Sequence, residues 1–322
     1  MPASESLREL GQSGIRVPLL TFGGNVFGWT IDQSVSFSIL DALLDQKLNF
    51  IDTADVYSIW APGNKGGESE TIIGNWLKKT GKRDQVIIAT KVGKDMGEGK
   101  KGLSAHYIRQ AVEDSLHRLQ TDYIDLYQSH DDDNETPLEE TLSTFDALIK
   151  EGKVRAIGAS NYEANRLQQA LRVSKENHLA RYETLQPEYN LYDRQHYETT
   201  LEPLVKEHGL GVIGYYSLAS GFLSGKYRSP EDVVKSKRGQ SVVEHYLNDR
   251  GMGILSKLDA IADAHQTTPT QVALAWLIAR PGITAPIVSA TSVQQVQELA
   301  DATRLKLIAE DIDALNKASA YC

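Results

Sequence analysis

The 322 residues contain one cysteine, and it is the last, Cys322. An intrachain disulfide is therefore excluded, which suits a reducing compartment. Positive charge is also short: 34 Lys and Arg stand against 43 Asp and Glu, a net charge of −9 with histidine neutral. Such a chain repels polyanions at long range, so no general affinity for nucleic acid or an anionic membrane is expected. A local basic pocket for a single phosphate group is still compatible with that balance. No apolar window is long enough to span a bilayer. Residues 1–20 lack the positive start and apolar run of a secretory signal, so cytoplasm is the expected compartment. No spacing of His, Cys, Asp and Glu suggests a metal site.

The sequence does have alternation, and apolar residues at 41% are enough for a large core. Apolar runs, several of them rich in Val and Ile, recur at 19–22, 48–51, 86–90, 123–128, 154–159, 184–187, 211–215 and 283–287. Amphipathic stretches such as 34–46, 69–79 and 104–119 lie between them. Helix starts are signalled by Ser104, by Thr136-Pro137 and by Asn161 ahead of Tyr162. Strands interleaved with helices predict parallel pairing through crossovers. Eight such units close most naturally into a (β/α)8 TIM barrel, with active groups at the C-terminal rim. A doubly wound sheet would place a G-x-G-x-x-G turn after its first strand, but Thr21-Phe22-Gly23-Gly24-Asn25 stands there. The expected architecture is α/β, one barrel domain over residues 1–322. An N-terminal β-hairpin at 5–18 would close its bottom, and a long loop at 217–250, after the seventh strand, would cover the rim as a lid.

Asp52 and Tyr57, Lys91 and His130 stand at or just beyond the ends of three successive strand candidates. If those strands are parallel neighbours, the four side chains emerge at one rim. A Tyr-Lys-His-Asp cluster is suited to moving a proton onto a carbonyl oxygen. A phenol has a reference pKa near ~10, and the Lys91 ammonium is expected to lower that of Tyr57. Asp52 would anchor Lys91, and His130 would orient the substrate oxygen. The acidic run Asp131-Asp132-Asp133 reads as solvated surface.

These residues carry a resemblance to the aldo-keto reductases, NAD(P)H-dependent carbonyl reductases on a (β/α)8 barrel. It runs from about Leu7 to Leu315. It rests on Phe50-Ile51-Asp52-Thr53-Ala54 with Tyr57, Thr90-Lys91, Ser129-His130, Gly158-Ala159-Ser160-Asn161, Leu185-Gln186-Pro187-Glu188-Tyr189-Asn190 and Gly221-Phe222-Leu223-Ser224-Gly225-Lys226-Tyr227. The resemblance implies that Tyr57 is the proton donor of a tetrad completed by Asp52, Lys91 and His130. It implies that Ser160, Asn161 and Gln186 hold the nicotinamide carboxamide and that Tyr215 stacks on the ring. Gly24 and Asn25 look like cofactor neighbours, and Ser217, Leu218 and Lys226 match pyrophosphate-wrapping positions. Arg238 falls where relatives place an arginine against a 2′-phosphate. Ser289 and Thr291 precede the helix of Gln295 and Glu298 in a turn where many relatives have a basic residue and this chain has none. NADP(H) is favoured, with NAD(H) the alternative.

Phe27, Trp29 and Trp60 are expected to line an apolar mouth beside Tyr57, for an aldehyde or ketone, or the corresponding alcohol, as small-molecule substrate. A monomer or small homo-oligomer is expected. The rival reading is an NADP(H)-binding regulatory module with little turnover, like the potassium-channel β subunits of the same family. A hydrolytic or isomerising barrel using Asp52, Asp55 and His130 would leave Ser160, Asn161, Gln186 and Tyr215 without a shared task.

Overall fold

A computed structural model describes residues 7–321; Cys322 and the first two residues of the expected hairpin lie outside that range. The chain opens with the short strands β1 (Arg8–Glu9) and β2 (Arg16–Val17), paired antiparallel. Gly11 and Gly14 turn the hairpin at φ +63° and +73°, where a side chain would be strained.

Eight strands follow: β3 (Thr21–Gly23), β4 (Phe50–Asp52), β5 (Ile87–Val92), β6 (Ile124–Ser129), β7 (Val154–Ser160), β8 (Tyr182–Gln186), β9 (Gly211–Val212) and β10 (Ile287–Val288). They pair in parallel in the order β10-β3-β4-β5-β6-β7-β8-β9. The two ends of that order also meet. The Thr284 and Ala285 amides donate to the Val212 carbonyl, and the Ile287 amide donates to Gly214 at 2.8 Å. The sheet therefore curls into a (β/α)8 barrel. Its helices are α1 (Gln33–Asp45), α2 (Glu68–Thr80), α3 (Ala105–Leu119), α4 (Leu138–Lys150), α5 (Ala164–Glu176), α6 (Glu202–His208), α7 (Gly239–Tyr246), α8 (Asp249–His265), α9 (Pro269–Ala279), α10 (Val293–Ala302) and α11 (Ala309–Ala318).

Strand side chains alternate between the helices and the barrel interior. One interior level is apolar, with Phe50, Ala89, Leu126 and Ala156 in one cluster, closed from below by Leu10, Ile15 and Val17 of the hairpin. Two residues further along the same strands the level turns polar: Asp52, Lys91, Gln128 and, on β8, Gln186. Gly158 occupies the β7 position at that level, paired with Gln128 and Thr184. A Cβ there would come within 2.1 Å of Thr184 Oγ1 and 3.2 Å of Gln128 Cγ, so the missing side chain makes room for the polar layer.

Several sequence expectations need correction. Residues 217–250 are folded: 3₁₀ turns span Ala219–Ser224 and Pro230–Lys235, α7 follows, and α8 begins at Asp249. Phe222, Leu223, Tyr227 and Val242 are buried in the main core, which explains why this strap holds a shape. β9 and β10 are shorter than their apolar runs. Pro286 lies within the last run and has no N–H to give a ladder. Ser104 does cap α3, accepting from the Tyr107 amide, but Thr136 does not cap α4 and instead donates to Asp133 at 2.6 Å. Asn161 is not a cap either, since α5 starts at Ala164.

Candidate active site

The polar level of the barrel is cross-bonded around Asp52. Its Oδ2 accepts from Lys91 Nζ at 2.6 Å, and its Oδ1 accepts from the amides of Gln128 at 3.1 Å and Gln186 at 3.0 Å. Lys91 also donates to the Thr53 carbonyl at 2.8 Å and to the Tyr57 hydroxyl at 2.9 Å. Three contacts at these distances match the three hydrogens of an ammonium, and the carboxylate beside it favours that charged form. Burial pulls the pKa of Lys91 down, and Asp52 opposes that pull. The group is completely enclosed, so the ion pair and its hydrogen bonds are what keep a charge there.

Tyr57 differs from expectation. Its pKa is pushed well above the ordinary phenol value, not down, because loss of solvent and then the Asp52 carboxylate outweigh the opposing charge of Arg238. The resting group is thus a neutral phenol with a proton to give. His130 follows β6, its amide held by the Val92 carbonyl. Burial, then the Lys91 charge, keeps its imidazole pKa well below the usual value. It is therefore a neutral ring, edge-on to Tyr57 at 5.9 Å, and its Nδ1 is buried without a hydrogen-bond partner among the described residues. The four tetrad residues expected from the sequence are together, and Gln128 is a fifth member that was missed. Its signal was parity: Gln128 lies two residues beyond Leu126, as Asp52 does beyond Phe50.

The expected nicotinamide contacts are neighbours on β7, β8 and the turn after β9. Ser160 Oγ donates to the Gln186 carbonyl at 2.9 Å, and Tyr215 donates to Asn161 Oδ1 at 2.8 Å. Asn161 Nδ2 donates to the His130 carbonyl and to Asp131. Asn161 has φ +56°, a left-handed conformation that asparagine tolerates. The acidic run is correspondingly not simply solvated: Asp131 holds Asn161, Asp132 accepts from Arg166, and Asp133 accepts from the Leu103 amide. Gly24 accepts from Ser69 Oγ through its carbonyl, and Asn25 Oδ1 accepts from Ser289 Oγ at 2.8 Å, joining the ends of β3 and β10. Ser217 is buried and Leu218 half-buried at the start of the strap, while Lys226 is exposed with its ammonium over the Tyr227 ring. Thr291 and Gln295 bond one another at the start of α10. Glu298 is committed to Thr268 at the cap of α9.

The rim above the tetrad is a circuit of contacts, closed through one backbone carbonyl. Tyr57 touches Trp60 (6.0 Å between ring centroids), and Trp60 touches Trp29 (5.5 Å). Trp29 lies under the Arg238 guanidinium (5.0 Å), which also lies over Tyr216 (5.7 Å). Tyr216 meets Tyr215 (5.1 Å), and Asn161 and His130 return the circuit to Tyr57. Phe27 is absent from this circuit, contrary to expectation: it is fully buried and stacked on Phe22. Arg238 is in it, through its contacts with Trp29 and Tyr216. Tyr216 was missed, because nothing in sequence marks a loop tyrosine as part of a rim.

The sequence profile described as the Aldo/keto reductase family matches residues 19–320. The chain is 35% identical over 315 residues to "Uncharacterized oxidoreductase YrpG" of Bacillus subtilis (strain 168), covering 95% of this chain and 94% of the relative. It is 34% identical over 323 residues to "Aldo-keto reductase YhdN" of the same organism, covering 97% and 92%. It is also 34% identical over 303 residues to "Probable voltage-gated potassium channel subunit beta" of Arabidopsis thaliana, covering 90% and 89%.

Proposed function

The chain belongs to the aldo/keto reductase family, and on that premise we propose that it reduces an aldehyde or ketone to the alcohol with a nicotinamide cofactor. The observation that carries this reading is the Lys91 ammonium, held by Asp52 and Thr53 and donating to the hydroxyl of a half-buried Tyr57.

The cofactor is proposed to be NADP(H), with NAD(H) as the alternative. The residues present fit such a group. Tyr215 offers a half-exposed ring at the mouth, and Gln186 has spent its amide nitrogen on Asp52 and Gln128 while its side-chain oxygen accepts no hydrogen bond among the described residues. Lys226 is exposed on the strap, where an anion could reach it. When bound, the reduced nicotinamide supplies the hydride that goes to the carbonyl carbon. Ser160, Asn161 and Gln186 would hold its carboxamide, with Gly24, Asn25, Ser217, Leu218 and Lys226 along its length and Ser289, Thr291 and Gln295 towards its far end.

The chain's own part is the proton. A carbonyl oxygen seated between Tyr57 and His130 accepts hydrogen bonds from the phenol and the neutral imidazole. As negative charge develops on that oxygen, Tyr57 transfers its proton. The phenolate left behind is paired with Lys91, which Asp52 holds in place. Gln128 and Gln186 keep the second oxygen of Asp52 occupied, so that carboxylate stays aimed at Lys91. The enclosed floor keeps bulk water from competing for these donors.

Tyr57→Phe tests the assignment. Carbonyl reduction is expected to fall by about 10²-fold or more, while nicotinamide binding, followed by tryptophan fluorescence, stays close to wild type. A variant with wild-type turnover would remove Tyr57 from the role. The channel-subunit relatives favour a second reading, a nicotinamide-binding regulatory subunit. Tight cofactor binding with no turnover across a broad carbonyl panel would select it.

A further inference from the structure

Gln128 reaches further than its bond to Asp52. Its amide nitrogen donates to Asp52 Oδ1 at 3.1 Å, and its amide oxygen accepts from Gln186 Nε2 at 3.1 Å. Gln186 Nε2 also donates to the same Asp52 oxygen, at 3.0 Å. Side chains from β4, β6 and β8 thus close a ring of hydrogen bonds, and all of them are buried. Neighbouring strands lie about 4.8 Å apart, so β6 and β8 stand roughly 10 Å from one another across β7. The bridge is possible because β7 presents Gly158 between them, in register with Gln128 on one side and Thr184 on the other.

The ring allows one orientation of each amide. A carboxylate oxygen accepts and cannot donate, so both glutamines must turn their NH2 ends to Asp52. The Gln128 oxygen then serves the ring by accepting from the Gln186 amide nitrogen. Inverting the Gln186 amide would press its oxygen against two acceptors, Asp52 Oδ1 and Gln128 Oε1, with no hydrogen between them. In a site closed to water that arrangement is strongly disfavoured. With the nitrogen of Gln186 committed twice, the end of its amide that can meet another group is the oxygen, an acceptor. Without Gln128, Asp52 alone would hold the amide, and the oxygen could swing about that single bond. Gln186 is paired in register with Ser160 on β7, whose Oγ donates to the Gln186 carbonyl at 2.9 Å.

We propose that Gln128 is a positioning residue for the nicotinamide end of the cofactor, holding the Gln186 oxygen as the acceptor that reads the NH2 group of the carboxamide. It acts through Gln186 and touches neither substrate nor cofactor. This rests on the nicotinamide-dependent reading of the site. The ring then has two tasks. It keeps Asp52 aimed at Lys91, and it sets the donor–acceptor sense in which a carboxamide can lie against β8.

The test compares wild type, Gln128→Met, Gln186→Met and the double variant in binding titrations followed by tryptophan fluorescence. The ligands are NADP⁺ (or NAD⁺, if wild type binds it more tightly) and its 3-acetylpyridine analogue, in which a methyl group replaces the carboxamide NH2. Wild type is expected to prefer the carboxamide form by about tenfold, the worth of one enclosed hydrogen bond. Gln128→Met should lose most of that preference while its affinity for the analogue stays close to wild type. Gln186→Met should lose the same preference and the double variant no more, because the two residues act as a unit. A merely structural role would weaken both dinucleotides alike, and an unchanged ratio in Gln128→Met overturns the proposal. So does an absence of preference in wild type, or an additive loss in the double variant. Gln128→Glu carries the test if the methionine variant does not fold. A carboxyl this close to the Asp52 carboxylate keeps its proton, so it can donate to Asp52 and accept from Gln186 as the amide did. It should retain the preference, and a loss as complete as that of Gln186→Met overturns the proposal. If wild type binds neither dinucleotide, the proposal and the nicotinamide reading fall together. If the Gln128-dependent preference is present but no carbonyl is reduced across a broad panel, the positioning role stands and the reductase reading falls.

Discussion

The floor of the barrel mouth and the rim around it are adjacent but built by different means. Floor side chains project from strands, where pairing sets each position to within a fraction of a residue. Asp52, Lys91 and Gln128 are fully enclosed, and Asp52, Lys91, Gln128 and Gln186 are linked by direct hydrogen bonds. The rim is made by loops that follow β3, β4, β6, β7 and β9, held mainly by ring contacts, and Trp60 and Tyr216 are 45% and 44% exposed. The floor can change little without leaving a charge buried and unpaired. The rim can change its surface with small cost to the fold. Proton chemistry therefore sits where the backbone dictates geometry, and selection sits where side chains can be exchanged.

The strongest way to break that contrast is Lys91→Met. Removing the ammonium strands the Asp52 carboxylate in the interior and is expected to cost about 3–5 kcal/mol of stability, together with nearly all reductase activity. Denaturant unfolding and steady-state rates measure both. A stable, active variant would show that the floor is not an interlocked unit.

Asp55 gives an intermediate effect with a defined pH signature. Both of its carboxyl oxygens are buried with no well-formed hydrogen bond among the described residues. Burial, then Glu70, raises its pKa to about 8, against the opposing charge of Arg118. The unfolded value lies near ~4, so between those limits the folded chain holds a proton that the unfolded chain has released. This group therefore makes stability decline as pH rises from ~4 towards 8 and level off above it. Asp55→Asn should remove that component of the decline, as thermal or denaturant unfolding across the range would reveal. An identical slope in the variant would show that Asp55 is not the titrating group.

The smallest effect should come from the rim. Trp60→Ala is expected to leave stability within about 0.5 kcal/mol of wild type while raising KM for aromatic aldehydes more than it lowers kcat. A loss of stability comparable to that of Lys91→Met would erase the distinction between the two regions.

What could be read in advance follows the same division. Strands β3–β8 announce themselves as largely apolar runs, Val- and Ile-rich in the middle ones, because both of their faces are buried, and Asp52, Lys91 and His130 stand out as polar residues ending or following such runs. Gln128 was hidden by being an ordinary polar residue whose inward direction becomes visible only once strand parity is counted. Tyr57 was placed correctly, but its pKa was expected to move the other way, since a sequence shows the neighbouring lysine and not the enclosure. Phe27 and Trp29 are two residues apart in one loop, yet one packs into the core against Phe22 and the other faces the mouth. The strap read as a loop because its burying residues, Phe222, Leu223, Tyr227 and Val242, are scattered among Gly, Ser, Lys and Arg.

By itself the sequence determined the barrel, the parallel order of its strands and the residues at their polar ends, because periodicity and burial are local consequences of residue type. Tertiary structure alone decided which of those groups bond to which, that Tyr57 rests as a neutral phenol, and that Arg238 meets Trp29 and Tyr216 across the mouth. Those outcomes depend on distances between residues far apart in the chain and on how completely water is excluded, and neither quantity is written in a linear pattern.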